Sequence, residues 1–283
     1  MPQTTTPRTV FITGGMSGLG KALALQYLAR GASVAVFDLQ VDGEVLAALR
    51  GHCRVDSQQA LAYAANVTRF EELDAAVEEA EAALGKPELA ISCAGVNRAF
   101  PFEVLSGAQF EQVMSVNVLG SRNFAQAVLS RMERGARLAL VASMAGFVAN
   151  YSYSAYSASK FAVVGLGRVL RLEYKPKGIE ISLICPPEVD TPMVEDELKH
   201  MHPASKALKR FGGSLSLDKA IREILRGLDR GRGVIIPGGK AKVTYFCNRY
   251  LPDFLMNAVV DRIVRSVLLE MQDKEARVQG KSP

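Results

Sequence analysis

Short apolar runs alternate with longer helical stretches along most of the chain. The runs are rich in β-branched residues and are bounded by glycine, proline or polar residues, as β-strands are. They lie at 8–13, 32–38, 60–65, 88–93, 137–143, 179–185 and 233–238. The helical stretches between them include 18–31, 69–84, 106–134, 153–175 and 216–230. Because the runs are apolar along nearly their whole length, both faces of each strand are expected to be buried. This predicts an α/β fold with a doubly wound parallel sheet.

The 283-residue chain shows no linker, repeat or low-complexity segment before about residue 240. We therefore predict one domain over residues 1–240 and a helical extension over residues 241–283. Within the extension a helix is expected to begin near Pro252, because proline is tolerated in the first turn of a helix. Its apolar stripe comprises Leu255, Ala258, Val259, Ile263 and Val267, widened by Met256, Val260, Val264 and Leu268.

Three roles remain open for this stripe. It could pack on the domain or on a dimer partner, close as a lid over an apolar substrate, or dock on a membrane surface as a peripheral contact. Charged residues interrupt the segment at Asp253, Asp261, Arg262 and Arg265, so it is not expected to span a membrane.

The composition argues against several classes of protein. The formal net charge of +5 comes from scattered residues without a Lys/Arg run, so a nucleic-acid partner is not expected. The four cysteines are far apart and form no CxxC pair, and the three histidines form no metal-ligand pattern. The first eight residues contain no apolar segment of a secretory signal. These features predict a cytoplasmic protein with reduced thiols and no metal site.

A glycine-rich turn, TGGMSGLG, spans residues 13–20 between the first strand and the first helix. Gly14 permits a tight turn, Gly18 allows close approach of a pyrophosphate, and Gly20 lets the helix pack on the sheet. A phosphate would then lie at the positive end of the helix. In this strand–turn–helix context the pattern predicts a dinucleotide site. The residues expected to contact the dinucleotide here are Gly14, Met16, Ser17, Gly18, Leu19 and Gly20.

Asp38 ends the second strand, where a carboxylate can accept hydrogen bonds from ribose hydroxyls and would repel a 2′-phosphate. Positions 17 and 39 hold Ser17 and Leu39, so neither offers a basic side chain that could bind that phosphate. NAD is therefore favoured, with NADP as the alternative. Asp38 could also be only a turn residue at the end of the strand.

A Tyr-x-x-x-Lys pair occurs once, at Tyr156 and Lys160 in YSASK. The spacing of four places both side chains on one face of a helix, one turn apart. Ser143 lies at the end of the fifth predicted strand, and Asn117 lies in MSVNVLG. Since ligands of open α/β sheets bind beyond the carboxyl ends of the strands, Ser143 is expected on the same edge as the glycine turn.

With these motifs the sequence resembles the short-chain dehydrogenase/reductase family over roughly residues 8–238. The resemblance rests on TGGMSGLG, the Asn in VNVLG, the Ser in LVASMAG, YSASK, and PPEVDTPM at 186–193. It implies a single Rossmann domain with a parallel sheet of about seven strands. It also implies a homodimer or homotetramer built on the helices that contain Asn117 and Tyr156, with Phe161, Val164 and Leu166 as candidate contacts.

The chemistry expected of such an enzyme is hydride transfer between nicotinamide and a carbinol carbon, coupled to a proton at the oxygen. A free tyrosine has a pKa of about 10, which a nearby ammonium lowers. Tyr156 is therefore the expected general acid/base and Lys160 the group that adjusts it. Ser143 is expected to hydrogen-bond the substrate oxygen.

Other roles come from the resemblance alone. Lys160 would also hold the nicotinamide ribose, and Asn117 would hold a water in a proton relay. Thr191 would bind the nicotinamide carboxamide, although it could equally cap a helix ahead of Pro192. Further cofactor contacts are expected at Asn66, Val67, Ala94, Gly95, Tyr156, Pro186 and Val189.

The sequence departs from the family's pattern at three places. Asn66-Val67 stands where the family often has Asp-Val, and Ser92-Cys93-Ala94-Gly95 replaces the usual Asn-Asn-Ala-Gly. Pro186-Pro187 replaces Pro-Gly after the sixth strand. The reactive groups are intact, but these departures weaken the choice of cofactor.

The substrate pocket is expected to be apolar and aromatic. The loop at 189–213 should cover it, carrying Met193, Val194, Leu198, Met201 and Phe211, and the opposite wall should hold Phe147, Val148, Tyr151 and Tyr153. A hydrophobic, lipid-like or steroid-like ketone or secondary alcohol fits such a pocket. The tail is loosely similar to that of lipid-directed members such as the 3-ketodihydrosphingosine reductases. The alternative function is a non-catalytic dinucleotide sensor or scaffold on the same fold.

Overall fold

The computed structural model describes residues 6–192, 194 and 201–278, without the side chains of 211–212 and 274–278. Seven strands form one sheet in which all neighbours are parallel, in the order β3-β2-β1-β4-β5-β6-β9. The strands of this sheet are β1 (Thr9–Thr13), β2 (Ser33–Asp38), β3 (Ala60–Ala64), β4 (Leu89–Ser92), β5 (Arg137–Val141), β6 (Glu180–Ile184) and β9 (Val234–Ile235). A second, two-stranded parallel sheet pairs β7 (Glu188–Val189) with β8 (Ser214–Leu215). The predicted doubly wound sheet of about seven strands is confirmed.

Helices connect the strands and cover the sheet. They are α1 (Gly18–Ala29), α2 (Gly43–Arg50), α3 (Phe70–Leu84), α4 (Gly107–Met114), α5 (Gly120–Leu129), α6 (Ser154–Tyr174), α7 (Pro203–Gly212), α8 (Leu217–Asp229), α9 (Gly239–Tyr250) and α10 (Asp253–Val278). In the part of the chain that the structure describes, no helix combines the length and the apolar character needed to cross a bilayer.

Successive residues of a strand pack alternately into two separate hydrophobic cores, one on each face of the sheet. Phe11 of β1 packs with the apolar faces of α3, α5 and α6, whereas its neighbours Val10 and Ile12 pack with α1 and α8. All three side chains are fully buried. Successive strand side chains point to opposite faces of a sheet, so a sheet covered on both sides needs an unbroken apolar run. This is why β1 reads VFI.

The stretch predicted as one helix over 106–134 is interrupted. A π-helical turn, Ser115–Leu119, separates α4 from α5. Within this turn the carbonyl of Asn117 accepts a hydrogen bond from the hydroxyl of Ser121. Single π-turns inside α-helices occur frequently at functional sites, and this one brings Asn117 close to α6.

Several elements were not expected from the sequence. They are α2, the β7–β8 pair, α7 and α9. The helix predicted near Pro252 is confirmed as α10, which begins at Asp253. However, α9 already begins at Gly239, so the helical extension starts at the end of the sheet rather than after a gap. The division at residue 240 stays a prediction.

Candidate active site

A cavity of about 800 Å³ opens at the carboxyl ends of the central strands. The order of the sheet reverses between β1 and β4, which is where open α/β sheets bind their ligands. Of the residues predicted for the site, the cavity is lined by Gly14, Ser17, Gly18, Leu19, Gly20, Asp38, Asn66, Val67, Ala94, Gly95, Ser143, Tyr156, Lys160, Pro186, Val189 and Thr191. Met16 and Asn117 lie behind this wall.

The glycine turn has the backbone geometry that its sequence predicted. Gly14 and Gly18 have positive φ angles of 68° and 48°. A Cβ atom on Gly14 would lie 2.8 Å from the amide nitrogen of Ala94, and one on Gly20 would lie 2.1 Å from the carbonyl oxygen of Gly14. Larger residues would therefore force the turn open. The N-terminus of α1 consequently faces the cavity, where it can receive an anion.

Asp38 connects this turn to the sheet. Its Oδ2 accepts a hydrogen bond from the backbone N–H of Met16 (3.0 Å), and its Oδ1 accepts one from Leu39 (2.8 Å). Asp38 is thus a turn residue, and it also lines the cavity. Because each carboxylate oxygen can accept a second bond, the predicted ribose contact stays available. The side chain of Met16 belongs to the core, so only its backbone faces Asp38.

The end of β4 lies close against the turn. The hydroxyl of Thr13 accepts hydrogen bonds from the backbone N–H groups of Cys93 and Ala94. A Cβ atom on Gly95 would lie 3.1 Å from Oδ1 of Asn117 and 3.6 Å from Nζ of Lys160. The small residues therefore keep this side of the cavity open, even though the usual asparagines are absent.

Asn66 does not direct its amide oxygen freely into the cavity. That oxygen accepts hydrogen bonds from the backbone N–H and the hydroxyl of Thr68. The neighbouring carbonyl of Val67 accepts a hydrogen bond from Asn123. The two residues line the cavity within a hydrogen-bonded turn, and their role toward a cofactor stays a prediction.

Tyr156 and Lys160 lie on α6 as the spacing predicted, with the Lys160 Nζ 5.5 Å from the centroid of the Tyr156 ring. Lys160 is only 5% exposed, and its ammonium donates a hydrogen bond to the carbonyl of Val141 at 3.0 Å. Burial lowers the pKa of Lys160 from 10.5 to about 8, while the nearby thiols of Cys93 and Cys185 act in the opposite direction. The lysine is therefore still largely protonated at pH 7.

Ser143 lies two residues beyond β5 and precedes a short 3-10 turn, Met144–Gly146. Its Oγ accepts a hydrogen bond from the backbone N–H of Ala145 at 3.1 Å. A hydroxyl that accepts one bond can still donate its own proton. Ser143 and Tyr156 line the same cavity, so both can face one substrate oxygen.

Asn117 is fully buried behind the cavity. Its Oδ1 accepts a hydrogen bond from the N–H of Val96, and its Nδ2 donates to the carbonyl of Val96 and to the hydroxyl of Ser159. Both amide protons are therefore used within the protein, and the side chain fixes α6 through the YSASK segment. The water that the resemblance assigns to Asn117 stays a prediction.

The wall that follows Ser143 is only partly as expected. Val148 and Tyr153 line the cavity. Phe147 and Tyr151 do not, because their rings pack elsewhere: Phe147 lies edge-on to Tyr245, and Tyr151 packs on His202. The sequence predicted four lining side chains here, and two of them, Phe147 and Tyr151, point away from the cavity.

The cover of the cavity comes from three helices distant in sequence. They contribute Leu208 and Lys209 of α7, Ala241 and Thr244 of α9, and Met256 and Val260 of α10. Val194 also lines the cavity, whereas Met193 and Leu198 lie outside the described residues, as does the side chain of Phe211. The predicted stripe on α10 is only partly correct: Leu255 and Val259 are exposed, whereas Met256 and Val260, which were predicted to widen it, line the cavity. The row beginning at Met256 and Val260 faces inward instead.

Lys209 and the lining residue Glu188 form an ion pair inside this cover. Sequence inspection missed both, because a Lys and a Glu separated by twenty-one positions carry no pattern that marks them as partners. Four free cysteines are present, as expected, and no cluster of metal-binding side chains occurs among the described residues.

Comparison with known proteins decides the family. The model of the protein family described as short chain dehydrogenase matches residues 8–202. The chain belongs to the short chain dehydrogenase family. Among curated relatives, 3-ketodihydrosphingosine reductase from Mus musculus is 33% identical over 227 residues, covering 78% of this chain and 68% of the relative. The Bos taurus protein of the same name is 34% identical over 188 residues, covering 65% of this chain and 57% of the relative.

A relative with a different named substrate is also found. D-threitol dehydrogenase from Mycolicibacterium smegmatis is 34% identical over 210 residues, covering 72% of this chain and 78% of the relative. Among solved structures, levodione reductase superposes with a TM-score of 0.73 at 26% identity, covering 83% of this chain and 98% of that structure. These relatives are dehydrogenases and reductases, and the chain is accordingly an oxidoreductase that acts on CH–OH or carbonyl groups.

Proposed function

We propose that this short chain dehydrogenase interconverts a hydrophobic ketone and its secondary alcohol, using a nicotinamide dinucleotide and preferring NAD(H). The observation that carries the proposal is that a glycine turn, a Ser–Tyr–Lys set and an apolar cover line one and the same cavity. A dinucleotide sensor would need only the first of these. The presence of all three in one space supports catalysis over the alternative of a non-catalytic sensor or scaffold.

The residues at the glycine turn fit a dinucleotide. A Cβ atom on Gly14 would meet backbone atoms at the end of β4, so the turn is kept free of side chains where a pyrophosphate needs close approach. The N–H groups of α1 would hold the phosphates, and Asp38 would hold the adenine ribose. Further contacts toward the dinucleotide are assigned to Met16, Ser17, Leu19, Asn66, Val67, Ala94, Gly95, Pro186, Val189 and Thr191. NADP stays the alternative cofactor.

The dinucleotide, when bound, supplies the hydride for ketone reduction or accepts it for alcohol oxidation. During reduction, Tyr156 gives its phenolic proton to the carbonyl oxygen as that oxygen gains negative charge. The positive charge of the Lys160 ammonium, which lies close to the Tyr156 ring, stabilises the resulting phenolate. Ser143 donates a hydrogen bond to the same oxygen. Asn117 positions α6 through Ser159, and we assign it the relay water that the family implies.

Two observations support a hydrophobic substrate. The cover contributes mostly apolar side chains, among them Leu208, Met256 and Val260. In addition, the mouse relative is named for a ketone of a long-chain lipid. A small polyol, as named for the Mycolicibacterium smegmatis relative, would leave such a cover without apolar contacts. We therefore favour a long-chain, lipid-like ketone over a sugar alcohol.

We assign the extension at 241–283 the role of a lid over this substrate. The last helix, α10, packs on α7 and α9, and its Met256 and Val260 close the cavity. This placement supports the lid over docking on a membrane surface. The protein's cytoplasmic location stays a prediction.

We also propose a homo-oligomer formed through α6. One side of that helix exposes the large apolar side chains Phe161, Val169 and Leu172. Exposed apolar side chains grouped in this way are typical of a protein–protein contact. Val164, one of the expected contacts, is buried in the core and is not available. A homodimer and a homotetramer are both compatible with this face.

The direct test follows NADH or NADPH oxidation with a panel of ketones at equal concentration. We expect turnover with long-chain aliphatic ketones, lower turnover with short ones, and none with sugars. Tight binding of NADH, measured by fluorescence, without oxidation by any ketone or formation from any alcohol would instead support the sensor. Turnover confined to polyols and their ketones would contradict the hydrophobic substrate.

A further inference from the structure

The turn that carries Ser143 is held in place from several sides. On one side, the backbone N–H of Met144 donates a hydrogen bond to the carbonyl of Pro186 at 2.9 Å. On another, Gly146 packs so closely against α6 that a Cβ atom would lie 2.7 Å from the carbonyl oxygen of Lys160. Both contacts are made by backbone atoms of the domain. A further contact is made by a side chain of the helical extension.

This further contact comes from α9. The Nδ2 of Asn248 donates a hydrogen bond to the carbonyl oxygen of Phe147 at 3.0 Å. The ring of Tyr245 lies edge-on to the ring of Phe147, with centroids 4.9 Å apart. Since residues three apart are neighbours on a helix surface, Phe147 receives a polar and an apolar contact from one face of α9. Asn248 and Tyr245 both lie beyond residue 202, where the match to the family model ends.

The turn connects this contact to the reacting groups. Its backbone is closed by two hydrogen bonds, from the N–H of Gly146 to the carbonyl of Ser143 and from the N–H of Phe147 to the carbonyl of Met144. Within it, the Ser143 Oγ accepts a hydrogen bond from the N–H of Ala145. The direction of the Ser143 hydroxyl is therefore set by the position of the turn. A shift of the Phe147 carbonyl would displace that hydroxyl.

We infer that Asn248 is a positioning residue for Ser143. Its amide holds the carbonyl of Phe147 and, through the turn, the hydroxyl that binds the substrate oxygen. The hydrogen bond forms only when α9 lies against the turn, so the seating of the cover and the placement of Ser143 are coupled. The extension is then part of the catalytic arrangement as well as of the cover. This inference rests on the proposed ketone reduction and on the role given there to Ser143.

The size of the effect follows from the group that Asn248 positions. Removing a hydrogen-bond donor to a developing oxyanion typically lowers kcat by about 10²- to 10³-fold. Asn248→Ala keeps the Ser143 donor but releases one contact of its turn, so we expect kcat to fall about tenfold. Because no contact with the alkyl chain is removed, KM should stay within about twofold of wild type for short and long ketones alike.

The test measures kcat and KM for heptan-2-one and tridecan-2-one with NADH. Asn248→Gln keeps an amide that can donate to the Phe147 carbonyl, so it should recover part of the turnover that Asn248→Ala loses, whereas Asn248→Leu should recover none. Lys242→Ala is the matched control, because Lys242 fastens the same helix to Glu223 of α8 and not to the Ser143 turn. Its kcat should equal that of wild type.

A merely structural role for Asn248 gives different results. General loosening of α9 would lower kcat in Lys242→Ala as well, and loss of cover would raise KM for tridecan-2-one alone. Either result would overturn the inference. If Asn248→Ala does not fold, as judged from its thermal melt, the comparison of Asn248→Gln with Asn248→Leu decides, and equal kcat values in these two variants would count against a hydrogen bond.

A double-mutant cycle shows whether Asn248 acts through Ser143. In the Ser143→Ala background, followed in single turnovers with excess enzyme, Asn248→Ala should cause no further loss of rate. A further loss of about tenfold would mean that Asn248 acts on another group, which contradicts the inference.

Failure of the inference and failure of the proposed function look different. Wild-type protein that reduces both ketones, together with an unchanged kcat in Asn248→Ala, would refute the positioning role and keep the function. Wild-type protein that oxidises NADH with neither ketone would count against both.

Discussion

The two halves of the cavity are built in different ways. The cofactor half is made by backbone at the ends of adjacent strands: the N–H of Gly14 donates to the carbonyl of Phe37, and the Thr13 hydroxyl accepts from two N–H groups after β4. The substrate half is made by α7, α9 and α10, which are attached by side chains. Examples are the amide of Asn248 on the carbonyl of Phe147 and the pair of Lys242 with Glu223.

This difference determines how well each half of the cavity tolerates substitutions. Alterations in the cofactor half disturb the ladder of a buried sheet, so its geometry is tightly fixed. Side chains in the cover can be replaced without moving a strand, so that the same chemistry can serve different substrates. Tyr156 and Lys160 lie where the two halves meet. We therefore predict that variants in the two halves fail in different assays.

The largest loss of activity is expected at Tyr156, where the two halves of the cavity meet. Tyr156→Phe removes only the transferable proton, so turnover should fall by about two orders of magnitude or more. Cofactor affinity and thermal stability should stay close to wild type, because the ring still packs against Tyr153. Steady-state kinetics and NADH titration measure the two properties. Tyr174→Phe, at the end of α6, is the control, and full turnover in Tyr156→Phe would remove the tyrosine from the mechanism.

Lys160, the other residue at which the two halves meet, is expected to make the stability of the fold depend on pH. Its folded-state pKa of about 8 lies below the value of 10.5 expected when unfolded, so the unfolded chain binds more protons between these values. The lysine's unfavourable contribution is therefore complete below pH 8 and disappears as the pH rises toward 10.5. Relative to Lys160→Met, the wild-type free energy of unfolding should rise by at most about 3 kcal/mol over that window.

Urea unfolding without cofactor measures this difference at several pH values. The thiols of Cys93 and Cys185, whose pKa burial raises to about 12, act in the opposite direction. Lys160 itself lowers these two pKa values, but both thiols stay protonated in the folded protein up to pH 10.5 with or without it, so their effect nearly cancels in the comparison. The exposed Lys219→Met variant should show no such trend. A pH-independent difference between wild type and Lys160→Met would show that burial does not perturb this lysine.

The cofactor half is probed by Asp38→Ala combined with Leu39→Arg. The double variant removes a charge that repels a 2′-phosphate and adds a guanidinium that can bind it. The ratio of dissociation constants for NADPH and NADH should fall about tenfold, while the KM for a ketone stays nearly constant. Wild-type protein that already binds NADPH more tightly would contradict the role of Asp38.

The smallest effect is expected in the cover. Met256→Ala and Val260→Ala should raise KM for long-chain ketones about fourfold for each substrate methylene that loses its contact. Short ketones and cofactor affinity should be nearly unaffected. Leu269→Ala, on an exposed position of α10, is the matched control. Equal KM changes for short and long ketones would mean that α10 stabilises the domain without covering the substrate.

The same division explains what the sequence could predict. Strand–helix alternation and glycine spacing are local patterns, so the sheet and the tight turn at Gly14, Gly18 and Gly20 were predicted correctly, whereas their contacts with a cofactor stay a prediction. The placement of Tyr156 and Lys160 side by side on α6 was predicted correctly because i, i+4 spacing is also local, and their catalytic roles stay a prediction. The π-turn at Asn117 was missed, since the chain stays helical through it and 106–134 therefore reads as one helical stretch.

The cover was harder to predict because its contacts are between distant segments. Leu255 and Val259 are as apolar as Met256 and Val260, so the pattern alone could not show which row of α10 faces the cavity. The choice is made by the packing of α10 on α7. Glu188 and Lys209 were missed for the same reason, because only the fold brings them together.

The proposed function requires the two halves of the cavity to meet around one transferred hydride. This transfer can be followed with NADH carrying deuterium at the transferable C4 position and a long-chain ketone, with mass spectrometry and NMR of the product. We predict an alcohol that carries deuterium at the carbinol carbon in wild type, and loss of that product in Tyr156→Phe. A product without deuterium at that carbon, or deuterated NADH that binds but is never oxidised, would contradict it.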